Sequence, residues 1–157
     1  MIAYFDSPLG SLEIGSTDRG ISSLYFRDET IPPDNPSGLI KDCFKQLKEY
    51  FEGKRRIFSL DLDLEGTDFQ KKVWNELLKI PFGETISYLE LSKRVGDIKA
   101  IRAVGNANGK NPVSIIVPCH RVIGSNGRLI GYGGGLWKKR WLLEFERSFT
   151  QRDLFSK

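Results

Sequence analysis

Apolar residues follow two different rhythms along the chain. Before position 27 they come in short runs, Ile2 to Phe5, Leu12 to Gly15 and Ile21 to Phe26, with Pro8-Leu9-Gly10 and Asp18-Arg19-Gly20 between them. This spacing predicts an antiparallel meander of three strands joined by turns. After a proline-rich loop, Ile31 to Pro36, the apolar positions Ile40, Cys43, Phe44, Leu47, Tyr50 and Phe51 fall on one helical stripe that Gly53 ends. From Ile57 to Leu64 large apolar residues alternate with polar ones, the pattern of a half-buried strand.

Helical spacing dominates from there on. Thr67-Asp68-Phe69-Gln70 has the spacing of a capping box, in which each end side chain satisfies the other's backbone donor. The helix it opens is expected to turn Phe69, Val73, Trp74, Leu77 and Leu78 inward and to stop at Pro81-Phe82-Gly83. Two short helices follow across the Gly96-Asp97 turn. Ile86 to Val95 carries Leu89, Leu91 and Val95; Lys99 to Ala107 carries small Ala100, Ala103, Gly105 and Ala107 around an outward Arg102. That is the pattern of a helix-turn-helix, and equally of two packed core helices. Val113 to Val117 reads as a buried strand ended by Pro118. The loop Gly131-Tyr132-Gly133-Gly134-Gly135 leads to a last helix with Leu136, Trp137, Trp141, Leu142 and Phe145 as its apolar positions, and the tail beyond Phe149 is expected to fray. The expected fold is α/β of the α+β kind. Residues 1–65 form a sheet-and-helix lobe, and residues 66–157 a mostly helical lobe containing the helix-turn-helix.

Composition narrows the function more than the fold. With 39% hydrophobic and 28% charged residues in 157 positions, the chain is neither disordered nor membrane-spanning, since its longest apolar run is strand-sized. Two cysteines and one histidine support neither a disulfide scaffold nor a zinc site, so no metal is expected. The start lacks the basic region of a secretory leader and meets an acid at Asp6, and so few cysteines suit a reducing compartment, so the cytoplasm is expected, or the nucleus in a eukaryotic source. Through residue 63 there are eight basic and eleven acidic residues; after it, sixteen and nine. The basic character therefore belongs to the second lobe, where one face can attract a polyanion.

The two cysteines read differently. Cys43 lies on an apolar helical stripe and packs as a small hydrophobe. Cys119 follows a proline, adjoins His120 and precedes Arg121, and a nearby imidazole and guanidinium would favour its reactive thiolate. An accidental neighbour pair at a strand end gives the same string. Adjacent side chains on a strand point apart, so a bend or a bridging water is needed before Cys119 and His120 can act together. Glu146 on the last helix could orient the imidazole, Glu144 lying on the far side of the wheel; it could also be a solvated helix residue. No Gly-x-Ser-x-Gly elbow and no nucleotide fingerprint occurs, so a serine hydrolase and a nucleotide cofactor are both unsupported. The glycines at 133 to 135 suit backbone lying close to a flat ligand or to another segment.

Taken together, Pro118-Cys119-His120-Arg121-Val122, the upstream Asn111-Pro112, the helix-turn-helix and Gly134-Gly135-Leu136 before Trp141-Leu142-Leu143 resemble the O6-alkylguanine-DNA alkyltransferases over roughly Thr67 to Glu146. The first lobe agrees in general plan with a ribonuclease-H-like lobe. The resemblance implies that Cys119 accepts the alkyl group, that His120 and Glu146 form a water-linked relay, that Asn111 shapes the active-site turn, and that Tyr88 stands near a flipped nucleotide. It implies that Arg102 enters the base stack, while Ala100, Ala103 and Gly105 permit close approach to the minor groove. Val122, Tyr132, Gly133 and Gly134 would line the substrate pocket, with Gly133 replacing a serine common in the family. The implied partner is double-stranded DNA with alkylated bases, O6-alkylguanine and also O4-alkylthymine, met by a monomer without a cofactor or membrane, one lesion per molecule. The alternative is a lesion-binding, base-flipping protein without chemistry; relatives of that kind lack the cysteine. A Cys-His thiol hydrolase would leave the basic half unexplained.

Overall fold

The computed structural model describes residues 1–155. They form two units, Met1–Glu65 with Pro112–Ile116, and Gly66–Asn111 with the chain from Val117 onward.

In the first unit β1 (Ile2–Ser7), β2 (Gly10–Ser16) and β3 (Ile21–Phe26) pair antiparallel in sequence order, as the alternation and turns predict. Leu12, Ile14, Ile21 and Leu24 are buried in this sheet, and α1 (Gly38–Phe51) buries Ile40, Cys43, Leu47 and Tyr50. The Phe5 and Phe44 rings meet edge to face at 5.2 Å between sheet and helix.

Two expected strands are absent. The stretch from Ile57 to Leu64 makes only an isolated bridge, with Ile21 N–H on the Asp61 carbonyl and Asp63 N–H on the Ile21 carbonyl, both at 2.8 Å. It cannot extend along β3 because the next stretch of that edge is taken. There Leu24 N–H bonds the Pro112 carbonyl at 2.9 Å, and Ser114 N–H bonds the Leu24 carbonyl at 3.2 Å. Val113 to Val117 is buried as expected, yet it is a strand only at the Val113 bridge. Ile115 sits at φ 71°, and the Ile116 N–H turns back to the Ser114 carbonyl, which reverses the backbone.

In the second unit α2 (Asp68–Leu77) opens with the full capping box. Its Trp74 indole donates to the Ala107 carbonyl at 2.8 Å, fixing α2 to α4 (Ile101–Gly109). Val73, Trp74 and Leu77 are buried, whereas Phe69 and Leu78, at the two ends of the helix, are exposed against expectation. The next helix, α3 (Tyr88–Val95), starts two residues later than its apolar pattern. Ile86–Ser87 instead form a short strand, β4, parallel to β5 (Val122–Ile123), and Ser87 caps α3 by accepting from Glu90 N–H. Leu89 is exposed. Gly96, at φ 107°, makes the left-handed turn out of α3, a 3₁₀ turn Ile98–Ala100 follows, and α4 completes the helix-turn-helix.

The final helix, α5 (Leu136–Phe155), buries Leu142 and Leu143, but Leu136 and Trp137 are exposed by 48% and 60%. Trp137 points well away from the face of Leu142 and Leu143, whereas Leu136 shares the face of Leu143 and is exposed because it stands in the first turn of the helix. The expected fraying beyond Phe149 gives way to helix as far as Phe155, and the remainder of that expectation lies outside the described residues. Among the described residues no helix is long and apolar enough to cross a membrane, and no three His, Cys, Asp or Glu side chains are grouped to hold a metal.

A β-carbon on Gly20 would lie 2.5 Å from the Asp61 carbonyl oxygen. Gly20→Ala must therefore push the Asp61 segment off the start of β3, and it is expected to lower stability by about 1–3 kcal/mol. A denaturant midpoint unchanged from wild type would show that this close approach contributes nothing.

Candidate active site and nucleic-acid interface

Pro118 and the reversal before it deliver Cys119, His120 and Arg121 on a single 3₁₀ turn, Cys119–Arg121, with all three side chains buried. Asn111, just beyond α4, holds the approach to this turn by donating from Nδ2 to the Val117 carbonyl at 2.7 Å. The turn takes the two neighbours off an extended strand, so their side chains no longer point to opposite faces.

Behind it stands Glu146, wholly buried on α5. His120 Nε2 lies 2.7 Å from Glu146 Oε2. Arg121 donates from Nε to Oε1 at 2.8 Å and from Nη2 to Oε2 at 3.0 Å, while its Nη1 donates to the Ile80 carbonyl at 2.7 Å. Gly83 N–H adds a longer bond to Oε1 at 3.3 Å. Burial alone would push the Glu146 carboxyl up, but His120 and Arg121 outweigh it and hold the group well below the usual carboxylate range. Burial lowers the His120 imidazole, with Glu146 opposing and Arg121 assisting. The resting pair is therefore a carboxylate and a neutral imidazole whose Nε2–H donates to Glu146. His120 Nδ1 is left as a buried lone pair without a hydrogen-bond partner.

Arg121 does not serve the thiol as its place in the sequence suggests, because its guanidinium is spent on Glu146 and the Ile80 carbonyl. The cation that favours the thiolate is Lys139. Burial raises the Cys119 thiol above its ordinary value, and an Asn111 hydrogen bond and the Lys139 charge pull it back. Lys139 is itself fully buried; its Nζ donates to the Ile130 carbonyl at 2.8 Å and lies 3.5 Å from Tyr88 Oη and the Gly131 carbonyl. Burial lowers its ammonium to about 8, against the pull of Cys119. Tyr88 Oη donates to the Ile130 carbonyl at 3.1 Å, and burial raises its phenol, as does the nearby Cys119 charge.

A cavity of about 480 Å³ is lined by Tyr88, Arg102, Gly105, Asn108, Ile130 and Gly131 to Gly133 among others; Cys119 and Lys139 are buried and not on its wall. Tyr88, Arg102, Gly105, Tyr132 and Gly133 thus line one cavity. Ala100, Ala103, Val122 and Gly134 are not on its wall: Ala103 is exposed on α4, Ala100 precedes that helix, and Val122 is buried in β5. A β-carbon on Gly133 would meet nothing within 4 Å, so a serine's space is open there.

Three residues act in ways the sequence pattern does not reveal. Arg121 pairs with a carboxylate 25 positions away, a separation no local pattern encodes. Asn108 donates weakly to the Cys119 carbonyl, at 3.5 Å, from a helix read only for its small residues. Lys139 hides in the basic run Lys138 to Arg140, yet it lies seven residues before Glu146. It therefore shares that residue's helix face, and the wheel that separates Glu146 from Glu144 also singles out Lys139.

With this geometry established, comparison with known proteins is informative. Residues 1–64 match the family described as 6-O-methylguanine DNA methyltransferase, ribonuclease-like domain, and residues 68–148 the same family's DNA binding domain. A methylated-DNA–protein-cysteine methyltransferase of Mycobacterium bovis is 47% identical, covering 98% of both chains. One from Methanosarcina acetivorans is 43% identical over 93% of this chain and 97% of the other. The crystal structure of a Mycobacterium tuberculosis relative in complex with DNA superposes with a TM-score of 0.85 at 47% identity, covering 93% of this chain and 92% of that one.

Glu146→Gln preserves shape but leaves Arg121 buried without its countercharge, and is expected to cost about 3–5 kcal/mol at pH 7. A carboxyl depressed in the folded state loses its stabilising contribution as pH falls below the ordinary value of about 4.3. The gap between wild type and Glu146→Gln should therefore narrow between pH 7 and pH 3. Urea unfolding at both values checks this, and an equal gap at both would mean the carboxylate charge is not what stabilises the site.

Proposed function

The chain belongs to the 6-O-methylguanine DNA methyltransferase family, whose members repair DNA by moving an alkyl group to a protein cysteine, and from that premise we propose that Cys119 is the acceptor and O6-alkylguanine the substrate. The observation that carries this reading is the buried Glu146–His120 pair, with its unpartnered Nδ1, on the same turn as Cys119.

An alkyl group on guanine O6 lies within the stack, so the nucleotide must first rotate out, at a cost of a few kcal/mol. Arg102, exposed at the cavity mouth on α4, fills the space the base leaves. Ala100, Ala103 and Gly105 keep side-chain bulk off this helix and let it approach the minor groove closely. The flipped base enters the cavity between Tyr88 and the Ile130 to Gly133 wall. His120 Nδ1 takes the Cys119 proton through a water, and Glu146 stabilises the imidazolium that forms. Lys139 favours the thiolate that remains. The sulfur attacks the alkyl carbon, the S–C bond forming as the C–O6 bond breaks. The guanine anion leaves with its electron pair and takes a proton from Tyr88 Oη.

The product is a thioether with no leaving group that water could displace, so one molecule repairs one lesion. O4-alkylthymine presents the same alkyl–oxygen bond and falls within the same chemistry. The protein works as a monomer on double-stranded DNA. A nucleophile that must stay a free thiol suits a reducing cytoplasm.

Incubation with a duplex containing O6-methylguanine should add the mass of one methylene to the peptide carrying Cys119. Cys119→Ser should gain none while still binding the duplex; binding without any mass gain by wild type would turn the protein into a lesion-binding protein without chemistry. Arg102→Ala should slow repair of the duplex at least tenfold more than reaction with the free modified base. An equal loss on both substrates would remove Arg102 from nucleotide flipping.

A further inference from the structure

A second cavity, larger than the one lined by Tyr88 and Arg102 at about 640 Å³, runs along α5. Its wall carries Arg128, Arg140 and Arg147, an apolar strip of Leu136 and Trp137, and one carboxylate, Glu144. All three arginines are exposed, and among the described residues none of their guanidinium groups has a hydrogen-bond or ion-pair partner. The relay and the pocket described above use none of them.

Three unpaired guanidiniums against one carboxylate call for an anionic occupant with several separated charges, and an indole 60% exposed calls for a flat or apolar group beside them. A sugar-phosphate chain meets both demands, its phosphates on the arginines and a base or sugar on the indole. The position agrees. Gly127 to Leu129 line this groove and Ile130 to Gly133 line the substrate cavity, so the two border each other along one loop. The first turn of α5 carries no acidic residue, which leaves the positive end of the helix dipole uncancelled beside the groove.

We propose that this groove is a second DNA contact, holding the phosphate backbone of the substrate strand outside the helix-turn-helix. The proposal rests on the DNA-repair reading and adds to it a track independent of the reacting base.

The test is the salt dependence of binding to an unmodified duplex. Each phosphate contact steepens the dependence of log affinity on log salt by about 0.9. Arg140→Gln/Arg147→Gln should therefore flatten the slope by about two contacts' worth, and Arg140→Lys/Arg147→Lys should retain most of it because charge is kept. Arg19→Gln, an exposed charge in the first unit, should leave the slope as in wild type. A wild-type slope in the double glutamine variant overturns the proposal and leaves the groove to an acidic protein segment; so does an equal flattening by Arg19→Gln. Methyl uptake by wild-type Cys119 from a modified duplex, measured in parallel, separates the two failures. Uptake with an unchanged slope removes only the groove, whereas no uptake removes the repair reading itself.

Discussion

Everything at the reactive end of this protein is referred to one buried carboxylate. Glu146 receives donors from the turn that carries Cys119 and from the loop that ends α2, while belonging itself to α5. Burying an ionised carboxyl is costly, and it is tolerable only when geometry and partners are complete. That requirement makes the arrangement unforgiving: α5, the Cys119 turn and the loop around Ile80 and Gly83 must all be in place together. Arg121 has a second effect. Its charge assists burial, the larger cause, in opposing protonation of His120, so the imidazole keeps the lone pair that a base needs.

The two buried cations divide the electrostatic work. Arg121 faces the carboxylate and stabilises structure. Lys139 lies near the thiol and the phenol, and through the Ile130 carbonyl, which Tyr88 also reaches, it ties the loop wall of the cavity to α5. An ammonium lowered to about 8 is only weakly held in its charged form. Cavity wall and thiolate therefore share one ion, and neither can change without the other sensing it.

Much of the fold was legible because its signals are local. The meander, the α1 stripe, the α2 capping box and the glycine turn of the helix-turn-helix each lie within a few residues, and each is found in place. The two missing strands failed for a reason no local pattern contains: they compete for one edge of β3, and each obtains only a bridge. At the site, the helical wheel left Glu146 as either an orienting carboxylate or a solvated residue, and the family signature favoured the pairing with His120 that the fold contains. The role of Arg121 could not be anticipated, since its sequence neighbours place it beside the thiol and only the folded chain sends it to Glu146. Trp137 misled in the other direction, an aromatic side chain that sequence assigns to the core and the structure places outside.

Ile115 adds a further constraint. A β-branched residue at φ 71° is intrinsically disfavoured by about 1–3 kcal/mol, so the reversal it makes is imposed by its buried surroundings and not chosen by its own sequence. A short synthetic peptide spanning Pro112 to Val122 would relax to extended forms and scatter its sulfur and imidazole. The chemistry cannot be excised and grafted as a loop; it would have to be transplanted with the scaffold that enforces the bend.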